Sequence, residues 1–252
     1  YPARKLKTIG ITGTKGKTTT SYMVKSILEK TGFSTGLIGT IETIIRDKVI
    51  PAKNTTPESF TIHQYFRRMA DAGCQAVVME VSSQGLMLHR TQGFTFELGI
   101  FTNMEPDHIG PNEHKDFEDY MACKGLLFKQ CRYGIVNFDD KHWETVLSGH
   151  TCELETYGLK EGADLRAEKM QLVKKPGRLG VAFHVCGLMD FDVEIATPGR
   201  FSVYNALTAI AICRHFNVSL DNIKSALLQA KVKGRIEMVK VSDEFTLMID
   251  YA

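Results

Sequence analysis

Short apolar runs alternate with longer amphipathic stretches along the first 150 residues of the chain. The apolar runs are rich in β-branched residues, which is typical of buried strands, whereas the intervening stretches repeat apolar positions with the period of a helix. This alternation predicts an α/β fold with a mostly parallel, doubly wound sheet that helices cover on both faces. The predicted strands are 6–12, 35–41, 75–81, 96–102 and 133–137, and the predicted helices are 17–31, 58–72, 114–131 and 139–148.

The stretch from about 151 to 200 has a different pattern. Short alternating segments near 165–173, 179–186 and 189–196 are separated by turn residues. This pattern predicts a small antiparallel β meander inserted beside the main sheet. Two further helices are predicted after it, at about 201–216 and 219–229.

The end of the chain predicts a domain boundary. Residues 233–235 resemble a linker, and 237–250 have the pattern of strands that begin another sheet. We therefore assign 1–235 to one domain and 236–252 to the truncated start of the next. Since the chain has no initiator Met and stops at a strand exit, we expect it to be a piece of a longer protein.

Composition is that of an ordinary globular protein. The 252 residues are 43% hydrophobic with a formal net charge of +2, which argues against a nucleic-acid binder that relies on a broad basic field. No apolar run approaches the ~20 residues that span a bilayer. The cysteines form no CxxC pair, so we expect reduced thiols and a cytoplasmic location rather than disulfides or a zinc site. They are Cys74, Cys123, Cys131, Cys152, Cys186 and Cys213.

The clearest chemical motif follows the first predicted strand. The apolar run 8–12 leads into Gly13-x-x-Gly16-Lys17-Thr18, which is shorter than the usual GxxxxGK[ST] spacing. A strand, a glycine loop and a helix start bring backbone N–H groups and the positive helix end to a phosphate. Lys17 would reach the β- and γ-phosphates and the Thr18 hydroxyl would bind Mg²⁺. The alternative is an ordinary strand-to-helix turn.

Three other side chains are candidates for a metal site near those phosphates. Glu80 closes the third predicted strand, where a carboxylate suits a metal or simply caps the next turn. His108 follows Asp107 after the fourth strand and would contact Mg²⁺ or phosphate, although a lone His is usually structural. Lys124 lies beside apolar helix positions, and its local pattern favours a surface lysine.

The loop before the second predicted helix offers polar side chains. Thr56 is predicted to cap that helix, with Pro57 and Glu58 in its first turn. Capping does not account for Asn54 and Thr55, whose polar groups are therefore available to a ligand.

Together these segments resemble the Mur ligases, the ATP-dependent amide ligases of peptidoglycan precursor synthesis. The match is to their central ATPase domain and covers nearly the whole chain, and NTTP at 54–57 with LHR at 88–90 resembles the ligases that add the third peptide residue. The other matching motifs are GTKGKTT at 13–19, MEVSS at 79–83, TN at 102–103 with DH at 107–108, YNA at 204–206 and GR at 234–235.

The resemblance implies a reaction. ATP and two Mg²⁺ ions would activate the carboxylate of UDP-N-acetylmuramoyl-dipeptide as an acyl phosphate, which an amino acid then attacks to form the amide. The UDP-binding domain would precede this chain. We expect the chain alone to bind Mg-ATP weakly without efficient ligation. The resemblance implies no nucleic-acid or membrane partner and leaves the added amino acid and the oligomeric state open.

The resemblance also implies a role for each site residue. Those implied for ATP are Gly13, Thr14, Lys15, Gly16, Lys17, Thr18, Thr19, Asn103, Asn205, Arg235 and Asp250. Those implied for the muramoyl-peptide are Asn54, Thr55, Thr56, Ser82 and Arg90. Metal ligands would be Thr18, Glu80, His108 and Lys124, the last as a carbamate, and the catalytic set would be Lys17, His108 and Lys124.

The chain departs from the family pattern at three positions, and three other functions stay open. Lys15 replaces a commoner Asn, Gln84 replaces the usual His, and Gly110 stands where an acidic residue is frequent. The last two are compatible with a changed acceptor. The alternatives are a folylpolyglutamate or cyanophycin synthetase with the same core, a P-loop NTPase switch, and a non-catalytic nucleotide-binding subunit.

Overall fold

An eleven-stranded sheet forms the centre of the molecule. The computed structural model describes residues 2–111, 113–175, 178–230, 232, 234–235, 237–239 and 247–250. Across the sheet the strands run β11-β10-β9-β8-β7-β6-β1-β5-β2-β3-β4. Their bounds are β1 Lys7–Thr12, β2 Thr35–Ile38, β3 Glu42–Ile45, β4 Lys48–Pro51, β5 Ala76–Glu80, β6 Phe96–Phe101, β7 Cys131–Asn137, β8 Glu153–Gly158, β9 Leu165–Lys175, β10 Arg178–Gly187 and β11 Phe191–Ile195.

The seven strands from β9 to β2 in this order pair in parallel. β5 is buried along its whole length, and Ile9 and Ile11 of β1 are inaccessible to solvent. A continuous apolar strand is what a parallel sheet with both faces covered requires. The predicted fold class, a mostly parallel doubly wound α/β sheet, is confirmed.

Helices cover the two faces of the sheet. The helices α1, α6 and α7 contribute buried side chains to one core cluster, and α2, α3 and α4 contribute to the other. None of the described helices is long and apolar enough to cross a membrane. The helices are α1 Lys17–Lys30, α2 Ser59–Asp71, α3 Ser83–Met87, α4 Phe117–Gly125, α5 Trp143–Val146, α6 Arg200–Arg214 and α7 Leu220–Gln229, with 3-10 helices at Pro2–Lys5 and Leu126–Lys129.

Several predicted elements differ from those observed. The strand predicted at 35–41 ends at Ile38, because the chain turns at Gly39, whose N–H donates to the Glu42 carbonyl at 3.1 Å, and the hairpin β3–β4 follows. The helix predicted at 114–131 begins only at Phe117, because the Asp116 carboxylate caps it by accepting a bond from the Asp119 N–H at 2.7 Å. The helix predicted at 139–148 shrinks to α5, and α3 was not predicted.

The three segments predicted for the meander are observed as β9, β10 and β11, but the stretch from 151 that is assigned with them differs. Residues 153–158 form β8, which pairs in parallel with β7, so the antiparallel part consists of β9, β10 and β11. Near the end of the chain, β12 (Glu237–Val239) and β13 (Leu247–Ile249) form a separate antiparallel pair. That pair agrees with new strands over 237–250, while the division into domains stays a prediction.

Candidate functional site

The loop between β1 and α1 has a conformation that requires glycine. Gly13 and Gly16 have φ of +143° and +86°, which side-chain-bearing residues rarely adopt. A Cβ would lie 1.9 Å from Thr102 Oγ1 at Gly13 and 2.6 Å from Asn205 Oδ1 at Gly16. No side chain caps α1, which begins at Lys17. Its first N–H groups, at the positive end of the helix, are therefore suited to an anion.

The end of β6 holds this loop in place. The Asn103 side chain accepts from the Lys15 N–H at 2.8 Å and donates to the Lys15 carbonyl at 2.9 Å, while the main-chain carbonyl of Asn103 accepts from the Thr14 N–H at 2.9 Å. Thr102 Oγ1 donates to the Lys15 carbonyl at 2.7 Å. The Lys15 side chain itself is 73% exposed and pairs with Glu105 at 3.2 Å. The main chain of Lys15 thus shapes the loop, while its charge points to solvent.

The Glu80 carboxylate lies at the end of β5 and is fully buried. It accepts hydrogen bonds from Thr18 Oγ1 at 2.9 Å, Thr40 Oγ1 at 2.9 Å and the Thr40 N–H at 3.0 Å. The capping alternative for Glu80 is wrong, because Ser82 caps α3 instead by accepting from Gly85 N–H. A buried carboxylate held by neutral donors, one of them a hydroxyl oxygen that can also bind metal, suits a divalent cation.

Two lysine amines meet on one carbonyl of the loop. Lys17 Nζ donates to the Gly13 carbonyl at 2.8 Å and Lys124 Nζ donates to the same oxygen at 3.1 Å. Neither lysine forms an ion pair with any described residue. Burial lowers the pKa of Lys17, and burial together with the charge of Lys17 holds the pKa of Lys124 well below its usual value.

Lys124 is not the surface residue that its local sequence pattern favours. It is 1% exposed, and its amine lies 4.3 Å from the centre of the Tyr120 ring. The surface interpretation is wrong because α4 packs against the loop after β1 and directs Lys124 inward. These two adjacent lysine amines have no carboxylate partner among the described residues, so an anion bound nearby would stabilise their charged forms.

His108 lies at the rim of the same cleft. It has a left-handed φ of +53°, its side chain is half exposed, and Nδ1 lies 3.0 Å from Glu113 Oε1. The structure thus brings His108 to the cleft that Glu80 and Lys17 line, with its ring paired to Glu113 rather than to those residues.

The side chain of Thr56 joins β5 to the loop that precedes α2. Thr56 Oγ1 donates to the Glu80 carbonyl at 3.1 Å and accepts from the Ser82 N–H at 2.8 Å. The predicted capping role of Thr56 is wrong, because α2 begins at Ser59 with Glu58 as its N-cap residue.

Arg90 and Thr55 extend this part of the cleft. Arg90 Nη1 donates to the Thr56 carbonyl at 3.1 Å and Nη2 pairs with Glu58 at 2.6 Å, while the buried Nε finds no partner among the described residues. Thr55 Oγ1 lies 3.0 Å from Thr40 Oγ1.

One cleft of about 1110 Å³ collects most of the predicted residues. Gly13 and Lys124 adjoin it through the shared carbonyl bond. The other predicted residues line it: Thr14, Lys15, Gly16, Lys17, Thr18, Thr19, Asn54, Thr55, Thr56, Glu80, Ser82, Arg90, Asn103, His108, Asn205, Arg235 and Asp250.

Sequence reasoning missed two features of this region. Thr40 donates a hydrogen bond to Glu80, but it lies within the strand predicted at 35–41, where its side chain has no predicted role. His114 was placed in a helix, but its buried ring lies between Ser83 Oγ and Asp119 Oδ2, each 2.9 Å from a ring nitrogen. Only the His–x₄–Asp spacing is visible in the sequence, and that spacing is common.

Comparison with known proteins matches residues 11–213 to the Mur ligase middle domain. The chain belongs to the Mur ligase family. This match confirms the resemblance drawn from the motifs. Among the Mur ligases, the close relatives support MurE, the ligase that adds the third peptide residue. The chain is 43% identical to UDP-N-acetylmuramoyl-L-alanyl-D-glutamate--2,6-diaminopimelate ligase 1 of Clostridium acetobutylicum, over all of the chain and 52% of that protein. It therefore spans about half the length of the curated relatives it matches.

Solved structures of a Mur ligase and of a folylpolyglutamate synthase share the fold. A UDP-N-acetylmuramoyl-L-alanyl-D-glutamate--2,6-diaminopimelate ligase aligns with a TM-score of 0.85 and 24% identity, over 98% of this chain and 51% of that one. Folylpolyglutamate synthase of Mycobacterium tuberculosis aligns with a TM-score of 0.76 and 16% identity, over 100% of this chain and 64% of that one. At these identities the likeness is one of fold alone.

Proposed function

We propose that this chain is the ATP-binding part of a ligase that joins an amino acid to UDP-N-acetylmuramoyl-dipeptide. The observation that carries the proposal is the pair of amines of Lys17 and Lys124 on the Gly13 carbonyl, beside the buried Glu80 carboxylate. A cleft that holds the Lys17 amine, a second amine that can form a carbamate and one buried carboxylate suits a reaction that must bring a triphosphate, a second anion and Mg²⁺ together. The names of the relatives suggest 2,6-diaminopimelate as the amino acid.

The glycine loop supports ATP as the phosphate donor. Since a Cβ at Gly13 or Gly16 would collide with neighbouring side chains, the main chain of this loop can approach a phosphate closely. Lys17 would leave the Gly13 carbonyl to pair with the β- and γ-phosphates. Asn205 and Asp250 line the cleft and are proposed for the nucleoside, while Arg235, which also lines it, is proposed for the phosphates.

The residues around Glu80 fit Mg²⁺. Glu80 and the Thr18 hydroxyl would hold one ion, and His108 with a carbamate on Lys124 would hold a second. When bound, the ions offset the repulsion between the triphosphate and the substrate carboxylate. To become the carbamate, a neutral Lys124 amine attacks CO₂, forms an N–C bond and releases one proton. The lowered pKa of Lys124 supports this step because it supplies the neutral amine.

The reaction we propose has two transfers. A carboxylate oxygen of the dipeptide attacks the γ-phosphorus of ATP, and ADP leaves with the electrons of the broken P–O bond. The neutral amine of the amino acid then attacks the carbonyl carbon of the acyl phosphate and forms the C–N bond. The C–O bond to phosphate breaks, and inorganic phosphate and one amine proton leave as the amide forms. Lys17 stabilises charge during the first transfer, while Asn54, Thr55, Thr56, Ser82 and Arg90 hold the muramoyl-peptide. We place the reaction in the cytoplasm.

A carbamate test separates this function from its rivals. We expect the chain in ¹³C-bicarbonate to show a carbamate ¹³C signal that Lys124→Arg removes and that Lys141→Arg, at an exposed lysine, retains. Mg-ATP is expected to bind weakly to the chain, and phosphate release is expected to require the acceptor in the longer protein. Absence of the carbamate signal, or rapid ATP hydrolysis without acceptor, would contradict the ligase and favour an NTPase switch.

A further inference from the structure

We propose that His114 is a positioning residue that holds together the three segments carrying Glu80, His108 and Lys124. The inference rests on the proposed function, since those three residues are the metal ligands proposed above. His114 itself does not line the cleft, because its side chain is fully buried behind it.

The ring of His114 joins two helices. Nε2 lies 2.9 Å from Ser83 Oγ, the first residue of α3, and Nδ1 lies 2.9 Å from Asp119 Oδ2 in α4. Both ring nitrogens therefore have a partner, which fixes the ring in one orientation. Ser83 follows Glu80 by three residues, so its bond to His114 ties the end of β5 to the start of α4.

The main chain of His114 holds the third segment. Its N–H donates to the His108 carbonyl at 3.0 Å, and its carbonyl accepts from the Gly110 N–H at 3.1 Å. These two bonds close the turn on which His108 adopts its left-handed conformation, with φ of +53°. The orientation of His108 at the cleft rim is thus coupled to the placement of His114.

The ring of Tyr120 lies between His114 and Lys124. It lies 5.0 Å from the His114 ring and 4.3 Å from the Lys124 amine, and its hydroxyl lies 3.3 Å from Thr14 Oγ1 in the phosphate loop. A shift of His114 would therefore reach Lys124 through both Asp119 and Tyr120. Some residues do not bind a metal themselves but hydrogen-bond to its ligands and orient them. Removing such a residue typically lowers metal affinity roughly 10- to 100-fold.

A serine, a histidine and an aspartate joined in this order are also the groups of a hydrolytic triad. Here Ser83 is 3% exposed and sits in the first turn of a helix. A nucleophile needs access to a carbonyl carbon, so this burial favours positioning over covalent catalysis. Labelling of Ser83 by a fluorophosphonate probe would overturn the positioning role.

The test measures Mn²⁺ binding by electron paramagnetic resonance, on this chain with bicarbonate and a non-hydrolysable ATP analogue. We expect His114→Leu to lower the affinity for one of two Mn²⁺ ions by roughly 10-fold or more. The affinity for the ATP analogue should change less than about 2-fold. His114→Asn keeps a group near the Nδ1 position for Asp119, so it should restore part of the loss. His184→Asn is the matched control, since His184 forms a similar 2.9 Å bond to Asp192 in the β10–β11 hairpin, outside the cleft.

If His114→Leu does not fold, the test is repeated with the smaller changes Ser83→Ala and Asp119→Asn. Each of these variants should lower the affinity for the same Mn²⁺ ion. If all these variants bind both ions as the unaltered chain does, the positioning role is wrong although the ligase proposal stands. If the unaltered chain binds no nucleotide-dependent Mn²⁺, the proposed function itself fails.

Discussion

Two neighbouring loops of the cleft reach their shapes by different means. The loop between β1 and α1, residues 13–16, is shaped by two glycines with positive φ and is held by the side chains of Thr102 and Asn103, which follow β6. The segment between β6 and α4, residues 102–116, is longer and depends on side chains from other elements, chiefly the Ser83–His114–Asp119 chain. We propose the first loop for phosphate binding, and the second segment carries His108, one of the proposed metal ligands. The first loop therefore depends on glycine at two of its own positions, whereas the second segment depends on a buried side chain, His114, that is anchored to Ser83 and Asp119 in two helices.

The largest effect on Mg-ATP binding should come from Gly13→Ala, which forces the first loop out of its conformation. The new Cβ would collide with Thr102 Oγ1 at 1.9 Å in addition to the cost of the backbone conformation, about 1–2 kcal/mol. We expect binding of Mg-ATP to be lost in calorimetric titration. Gly32→Ala is the control, because Gly32 has φ of +86° but open space around it, so only the backbone cost applies. Equal loss of Mg-ATP binding in both variants would show that the loss comes from backbone strain in the chain and not from the collision with Thr102.

An intermediate effect should appear at Lys124, just beyond the second segment. Because its folded-state pKa lies below its unfolded value, the unfolded chain binds the extra proton. The free energy of unfolding should therefore rise with pH between the lowered pKa and about 10.4, by about 1.4 kcal/mol per pH unit across that interval. Lys124→Met should flatten this rise in urea titrations under CO₂-free buffer. An unchanged slope in the variant would mean that Lys124 titrates normally.

The smallest effect should come from Lys15→Asn, at the exposed tip of the first loop. Its ion pair with Glu105 is largely solvated, since the two side chains are 73% and 58% exposed. Such pairs contribute about 0–1 kcal/mol. We expect a similar melting temperature and an ATP affinity within about 3-fold, as the backbone bonds to Asn103 are kept. A larger loss of affinity would assign the Lys15 charge to the phosphate site.

The same contrast between local and distant contacts explains what the sequence could predict. The loop at 13–16 and Glu80 at the end of a strand are local patterns, so the order of residues predicts that they share the cleft that the structure shows. Thr40 contacts Glu80 across 40 positions and Ser83 contacts His114 across 31, and no local periodicity records such contacts. The early start predicted for α4 has the same origin. Residues 114–116 have a helical pattern, but His114 is pulled into a bridge with Ile109 and the Asp116 cap begins the helix later.

The two outermost strands of the sheet have a consequence for association between copies. One edge is β4, four residues long, with Lys48 at its start and Pro51 at its end, and Pro51 has no N–H to offer a further strand. The other edge is β11, where Asp192 and Glu194 alternate with buried apolar residues. Short length, charge and proline are the means by which sheet edges resist adding a foreign strand. An eleven-stranded sheet with open ends is thereby protected against edge-to-edge aggregation.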